Sequence, residues 1–163
     1  ENGAFARSGV VNAALLNALL ADDYFARALP KSTGREHFHL QWLDQHLTQH
    51  ALAANDVQAT LLELSVRTIA DALAQHAPAT TRVIACGGGV HNPLLMDRLA
   101  LAFSNLAQPC VLETTATHGL DPDFVEAAAF AWLAKQTLAG QPGNCTAVTG
   151  ARGPRILGAI YSV

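Results

Sequence analysis

Apolar residues recur along this chain with two different rhythms, and the change divides it roughly in half. In the first half the rhythm is helical. Val11, Leu15 and Leu19 stand four apart, with Leu16 and Leu20 widening the stripe, so a first helix is expected to follow Ser8. Pro30 then breaks the chain direction. Thr33 stands three residues before Glu36, the spacing of a capping box, and predicts a second helix that buries Phe38, Trp42 and Leu43. A third helix is expected over Asp56 to His76, where Leu62, Val66, Ile69 and Leu73 step by four, three and four along one face. In the second half strands and helices alternate. Arg82 to Cys86 reads as a short strand, Pro93 to Phe103 as a helix, and Cys110 to Thr114 as a second strand. Asp121-Pro122 opens a further helix with Phe124, Ala127, Ala131, Ala134 and Leu138 on one face, and Gly140, Pro142 and Gly143 end it. Ile156 to Tyr161 reads as a last strand or a buried tail. The alternation predicts a mixed α/β fold, one domain with a sheet covered by helices.

Composition narrows the classes. The chain has 163 residues, half of them hydrophobic and 14% charged, which fits a packed domain and not a disordered segment. A net charge of -3 gives no bulk attraction to nucleic acid or to an anionic membrane. No apolar run reaches the roughly 18–20 residues that span a bilayer. Cys86, Cys110 and Cys145 are odd in number and lack C-x-x-C spacing, which argues against a disulfide framework or a structural zinc site and for a reducing cytoplasm. Packing as small hydrophobes is their expected role, with Cys86 under the loop that follows it. The chain opens on Glu1 and not on Met, and reads as a piece of something longer.

One stretch asks for chemistry. The first strand runs into Gly87, Gly88 and Gly89, and Asn92-Pro93 follows as an N-cap and first helical residue. Bare backbone admits close approach of a ligand, and a helix start offers free N–H groups and the positive end of the macrodipole to an anion. A tight strand-to-helix turn, with glycine serving packing alone, fits the same residues. The pattern is neither G-x-G-x-x-G nor the P-loop, so the spacing leaves both readings open.

Four stretches together resemble a known family. "PKSTGREHF" (30–38), "CGGGVHNPLLMDRL" (86–99), "THGLDPDFVEAAAFAWLA" (117–134) and "GQPGNCTAVTGARGPRILGAIY" (140–161) are similar, in order, to the C-terminal half of the anhydro-N-acetylmuramic acid kinases. The resemblance runs nearly end to end. It implies the actin, hexokinase and sugar-kinase superfamily, whose two ribonuclease H-like lobes close around a nucleotide, and here a lobe with a short mixed sheet and several covering helices. It also implies ATP and magnesium as cofactors. The implied reaction opens the 1,6-anhydro ring of anhydro-N-acetylmuramic acid with water and phosphorylates O6, giving N-acetylmuramic acid 6-phosphate in peptidoglycan recycling. The phosphate-binding loop and the aspartate taken as the base belong to the family's N-terminal lobe, and neither has a counterpart here. "ENGAFARSG" looks like sequence just downstream of that region. On this reading the chain is a C-terminal nucleotide-binding lobe, 1–163, that lacks catalysis alone. Its partners are an adenine nucleotide, an amino-sugar substrate and the N-terminal lobe. Apolar surface bared by the missing lobe is expected to promote self-association, a homodimer included. A stand-alone nucleotide- or sugar-sensing module, and a kinase for a related amino sugar, are the alternatives.

By the same resemblance Gly87, Gly88 and Gly89 line the nucleotide side of the cleft; Asn92 is a candidate nucleotide contact, and capping is a sufficient alternative cause for it. Glu126, in the second turn of its helix and followed by three alanines, faces the sugar; a solvated carboxylate is the plainer alternative. Asp121 and Asp123 read as a cap and a first-turn acid, the latter worth about 0.3–1 kcal/mol, and not as metal ligands. Lys31 and Arg35 fit either an anion or an ordinary charged surface. His46 and His50 have the four-residue spacing for a shared metal but no third ligand nearby, and His37 and His39 point to different faces of a helix. All seven histidines read best as surface residues, and His91 stands out only for its place beside the glycines.

Overall fold

A computed structural model describes residues 2–48 and 51–161. The long helix α5 (Ala54–His76) is the frame. Against it pack α1 (Ala4–Arg7), α2 (Ala13–Leu20) and α6 (Pro93–Ser104), while α3 (Asp23–Ala26) and α4 (Leu40–Leu47) close the helical end. Two strands, β1 (Arg82–Ala85) and β2 (Val111–Thr114), pair in parallel with Arg82 opposite Val111 and Ala85 opposite Thr114, and α6 makes the crossover between them. The helix α7 (Val125–Leu138) and the short α8 (Thr146–Thr149) follow. The architecture is mixed α/β. Among the described residues the sheet has two parallel strands, where a short mixed sheet was expected.

The helix α5 serves two cores at once. Val66 and Ala70 join Leu99, Phe103 and Cys110 beneath the sheet, with Leu62 and Leu73 packed at the margin. Leu64 turns to Leu15, Leu16 and Leu19 of α2, flanked by Trp42 and Leu43. Ile69 falls between these two directions and stays 45% exposed, so the single expected face is in fact two faces with a gap.

The first helix starts later than its apolar stripe suggests. Gly9 lies against the main chain of α5, where an added Cβ would sit 2.1 Å from the Asn55 carbonyl oxygen, a contact only glycine permits. The Val10 amide then donates to Asp56 and the Asn12 amide to Thr60 Oγ1, so this stretch spends its donors on α5 and not on a helix. Asn12 caps α2, and Val11 lies outside it.

The capping box at Thr33 is also overridden. Asp22 accepts hydrogen bonds from the His37 ring at 2.9 Å, the Trp42 indole at 2.9 Å and the Tyr24 amide at 2.9 Å, which holds residues 34–38 in a turn. The helix begins only at Leu40, with His39 Nδ1 accepting from the Trp42 amide. Phe38 stays ahead of it, stacked on Phe25. Burial would raise the Asp22 pKa, but the bonds from His37, Tyr24 and Trp42 outweigh it and hold the carboxyl below its ordinary value. A depressed carboxylate stabilises the fold above its unfolded pKa of about 4 and ceases to as pH falls through the lowered value. Asp22→Ala should therefore cost about 2 kcal/mol at pH 7 in urea unfolding, and progressively less as the pH falls below the unfolded value of about 4. A cost independent of pH would count against this hub.

Lys31 is structural as well. Its Nζ donates to the Tyr24 and Phe25 carbonyls at the end of α3 and sits 4.9 Å from the Tyr24 ring centre. Arg35 is exposed. His37 is half-buried, against the surface reading, and His46 packs edge-on to Trp42; His50 lies outside the described residues.

Candidate functional site

Parallel strands end on the same side, and ligands of open α/β sheets gather beyond the carboxyl ends of the strands. Here that edge carries the glycines after β1 and residues 115–124 after β2. Past Ala85 the chain opens into Cys86, which is exposed and does not pack under the loop. Gly87 takes φ 79°, a left-handed conformation that disfavours any side chain. Residues Gly88–His91 form one 3-10 turn, and Asn92 then caps α6 by accepting from the Leu95 amide, with Pro93 at the first position.

Packing does not require glycine at 88. A Cβ at Gly87 or Gly88 would meet nothing within 4 Å, and at Gly89 only Leu95 Cδ2 at an ordinary 3.7 Å. The Gly87 amide donates to the Pro122 carbonyl at 3.0 Å. Among the described residues the Gly88 and Gly89 amides have no acceptor. Two free donors beside open space, just ahead of a helix start, can take an anionic oxygen.

Across from them, Asp121 accepts from the Asp123 amide at 2.9 Å and starts a 3-10 turn, Pro122–Phe124, that leads into α7. The cap falls where the sequence places it. Glu126 stands in the first turn of α7, the second turn of the combined helix; it is exposed and has no partner among the described residues. Beyond its place as a first-turn acid, Asp123 receives His91 Nε2 on its carboxylate at 2.8 and 3.0 Å. Glu113 similarly accepts from His118 at 2.9 Å and faces Arg82 at 3.5 Å. These pairs span 32 and 5 residues, so a one-dimensional reading had only the nearness of His91 to the glycines as a signal.

The expected buried face of α7 is not buried. Phe124 and Leu138 are largely exposed, as are Phe130 and Trp132 on its other sides. Instead Leu133 and Thr137 meet the following segment, with Thr137 Oγ1 donating to the Leu157 carbonyl. Ile156–Tyr161 forms neither strand nor buried tail; it runs alongside α7 and leaves an apolar groove of about 570 Å³. Cys145 is exposed and Cys110 buried. Among the described residues no helix is long and apolar enough to cross a membrane.

The nucleotide and the magnesium fare differently against these residues. Open space over Gly87 and Gly88, with the Gly88 and Gly89 amides free among the described residues, suits a phosphate or ribose. For a divalent cation, Asp121 is committed as a cap and Asp123 to His91, and among the described residues no three His, Cys, Asp or Glu side chains converge.

Comparison with known proteins agrees with the four sequence stretches. A family model described as anhydro-N-acetylmuramic acid kinase matches residues 1–163. Curated relatives carrying that name include proteins of Xanthomonas campestris pv. campestris strain 8004 (59% identical over 98% of this chain), Xylella fastidiosa strain Temecula1 (53% over 99%) and Pseudomonas paraeruginosa (51% over 99%). The chain spans about two fifths of the length of these relatives, 41, 41 and 43% respectively. With the whole of it matched, the chain belongs to the anhydro-N-acetylmuramic acid kinase family.

Proposed function

We propose that this chain is the C-terminal, nucleotide-binding lobe of a kinase that opens the 1,6-anhydro ring of anhydro-N-acetylmuramic acid with water at C1 while transferring the terminal phosphoryl group of ATP to O6 and releasing ADP. The product would be N-acetylmuramic acid 6-phosphate, and the setting cytoplasmic recycling of peptidoglycan. The observation that carries the reading is the open ground over Gly87 and Gly88 at the carboxyl edge of parallel strands, in a chain of this family. Gly87, Gly88 and Gly89 bring bare main chain to the nucleotide, and Asn92 holds the helix start that faces it. Glu126, exposed and unpaired among the described residues, accepts hydrogen bonds from sugar hydroxyls. ATP supplies the transferred phosphoryl group. Among the described residues no set of side chains fits the magnesium that the resemblance implies. A ribonuclease H-like lobe fits the β1–α6–β2 unit. An apolar helix left bare on several sides fits a lobe that docks on another body.

Phosphoryl transfer rests on positioning and electrostatic stabilisation, so both lobes are needed for turnover. The test is the full-length protein assayed with ATP and anhydro-N-acetylmuramic acid beside other amino sugars. Turnover of the anhydro sugar is expected, and its absence alongside turnover of another amino sugar would redirect the assignment to a sibling kinase. Within the assay, Glu126→Gln should raise the sugar KM about tenfold or more while leaving ADP binding in the absence of sugar nearly unchanged, the loss expected when a charged hydrogen-bond acceptor becomes neutral. An unchanged sugar KM would return Glu126 to the role of a solvated carboxylate.

A further inference from the structure

We propose that His91 and Asp123 form a clasp through which nucleotide binding at the glycine turn and sugar binding at Glu126 reinforce each other, with His91 as a positioning residue. This rests on the assignment of the two ligand sites made above. The turn 88–91 and the turn 122–124 come from segments far apart in the chain. Among the described residues they are joined by the Gly87 amide to the Pro122 carbonyl, 3.0 Å, and by His91 Nε2 to both oxygens of Asp123, 2.8 and 3.0 Å. One end of this link lies on the glycine turn itself. The other ends three residues before Glu126, and the Asp123 amide is fixed in turn by Asp121 Oδ1.

The pair has no evident duty in the core. The side chains of His91 and Asp123 are 61% and 53% exposed, and neither belongs to a buried cluster. An exposed hydrogen-bonded pair of this kind contributes little to global stability. Its geometric effect is larger. Phosphate oxygens held by the Gly88 and Gly89 amides fix the orientation of the turn that carries His91. The clasp passes that constraint to residues 122–124 and so to the first turn of α7. Sugar held by Glu126 orders the same turn from the other side. Coupling of this kind is reciprocal, each ligand tightening the other by one factor.

Calorimetry of the full-length protein tests it, with ADP so that no turnover intervenes. ADP should bind about fivefold or more tighter in saturating anhydro-N-acetylmuramic acid, and the sugar equally tighter in saturating ADP. In His91→Ala and Asp123→Ala that factor should fall toward one, while either ligand alone binds within about threefold of wild type and Tm moves by no more than about 2 °C. His91→Gln, whose side-chain amide can still donate to Asp123, should keep most of the coupling; a merely structural histidine would show no such rescue. Coupling that survives both alanine variants, or is absent from the wild type, overturns the clasp. ADP binding that is indifferent to a side chain at Gly88 overturns instead the assignment of the site, and the clasp with it.

Discussion

Placing valine at Gly88 should weaken ADP binding by about tenfold or more and leave folding untouched. The two halves of that expectation have separate causes. A Cβ at this position meets nothing within 4 Å, and the backbone there is not left-handed, so the folded chain has room for the side chain. The same open ground is where a nucleotide would press on the Gly88 and Gly89 amides, and a branched side chain occupies it. Losing one well-placed contact worth about 1.4 kcal/mol is already a tenfold change in affinity. Calorimetry with ADP reads the first half and thermal unfolding the second, with Tm expected within about 2 °C of the parent. Gly87→Val makes a useful contrast. Its φ of 79° is strained for any β-branched residue, so that variant should lose stability as well as affinity. Equal ADP binding by the Gly88 variant and the parent would reduce the glycines to a turn.

Local signals in the sequence were strong where local forces decide. The period of α5, the Asn92-Pro93 start of α6 and the Asp121-Pro122 opening before α7 all rest on hydrogen bonds and torsions within a few residues. All three elements begin within a turn of the expected positions. Thr33 carried an equally good local signal and lost. A half-buried carboxylate at Asp22 collects donors from His37 and Trp42, and these long-range bonds outrank a cap that water can replace. The stripe at Val11 failed for a similar reason, since Gly9 and the amides of Val10 and Asn12 are claimed by α5. For α7 the pattern identified a helix, yet nothing among the described residues covers its apolar face. At the site, the glycines and Glu126 were visible as residue types. The pairing of His91 with Asp123 was not, because proximity across 32 residues leaves no periodic trace.

Phe103→Ala should cost about 3–5 kcal/mol, the largest single loss of stability expected in this chain. Phe103 is 1% exposed and sits where α5, α6 and the strands meet, touching the cluster of Val66, Ala70, Leu99 and Cys110 with Val83 and Leu112 at its edge. Its carbonyl accepts the Cys110 amide at 3.2 Å, so the main chain is pinned and cannot slide inward to fill the vacated space. A cavity persists, and its cost adds to the lost transfer energy of the ring. Against a typical domain stability of about 5–15 kcal/mol, that removes a large share. Phe130→Ala is the control. It deletes the same side chain from α7, but Phe130 is 63% exposed, so in this chain the change should stay within about 0.5 kcal/mol. Urea unfolding of both variants, read by midpoint and slope, separates them. The consequence reaches function, because β1 is held from below by the Phe103 cluster and delivers the glycine turn from above. A Phe103 variant that unfolds no more easily than the Phe130 variant would mean that the glycine turn hangs on some other support.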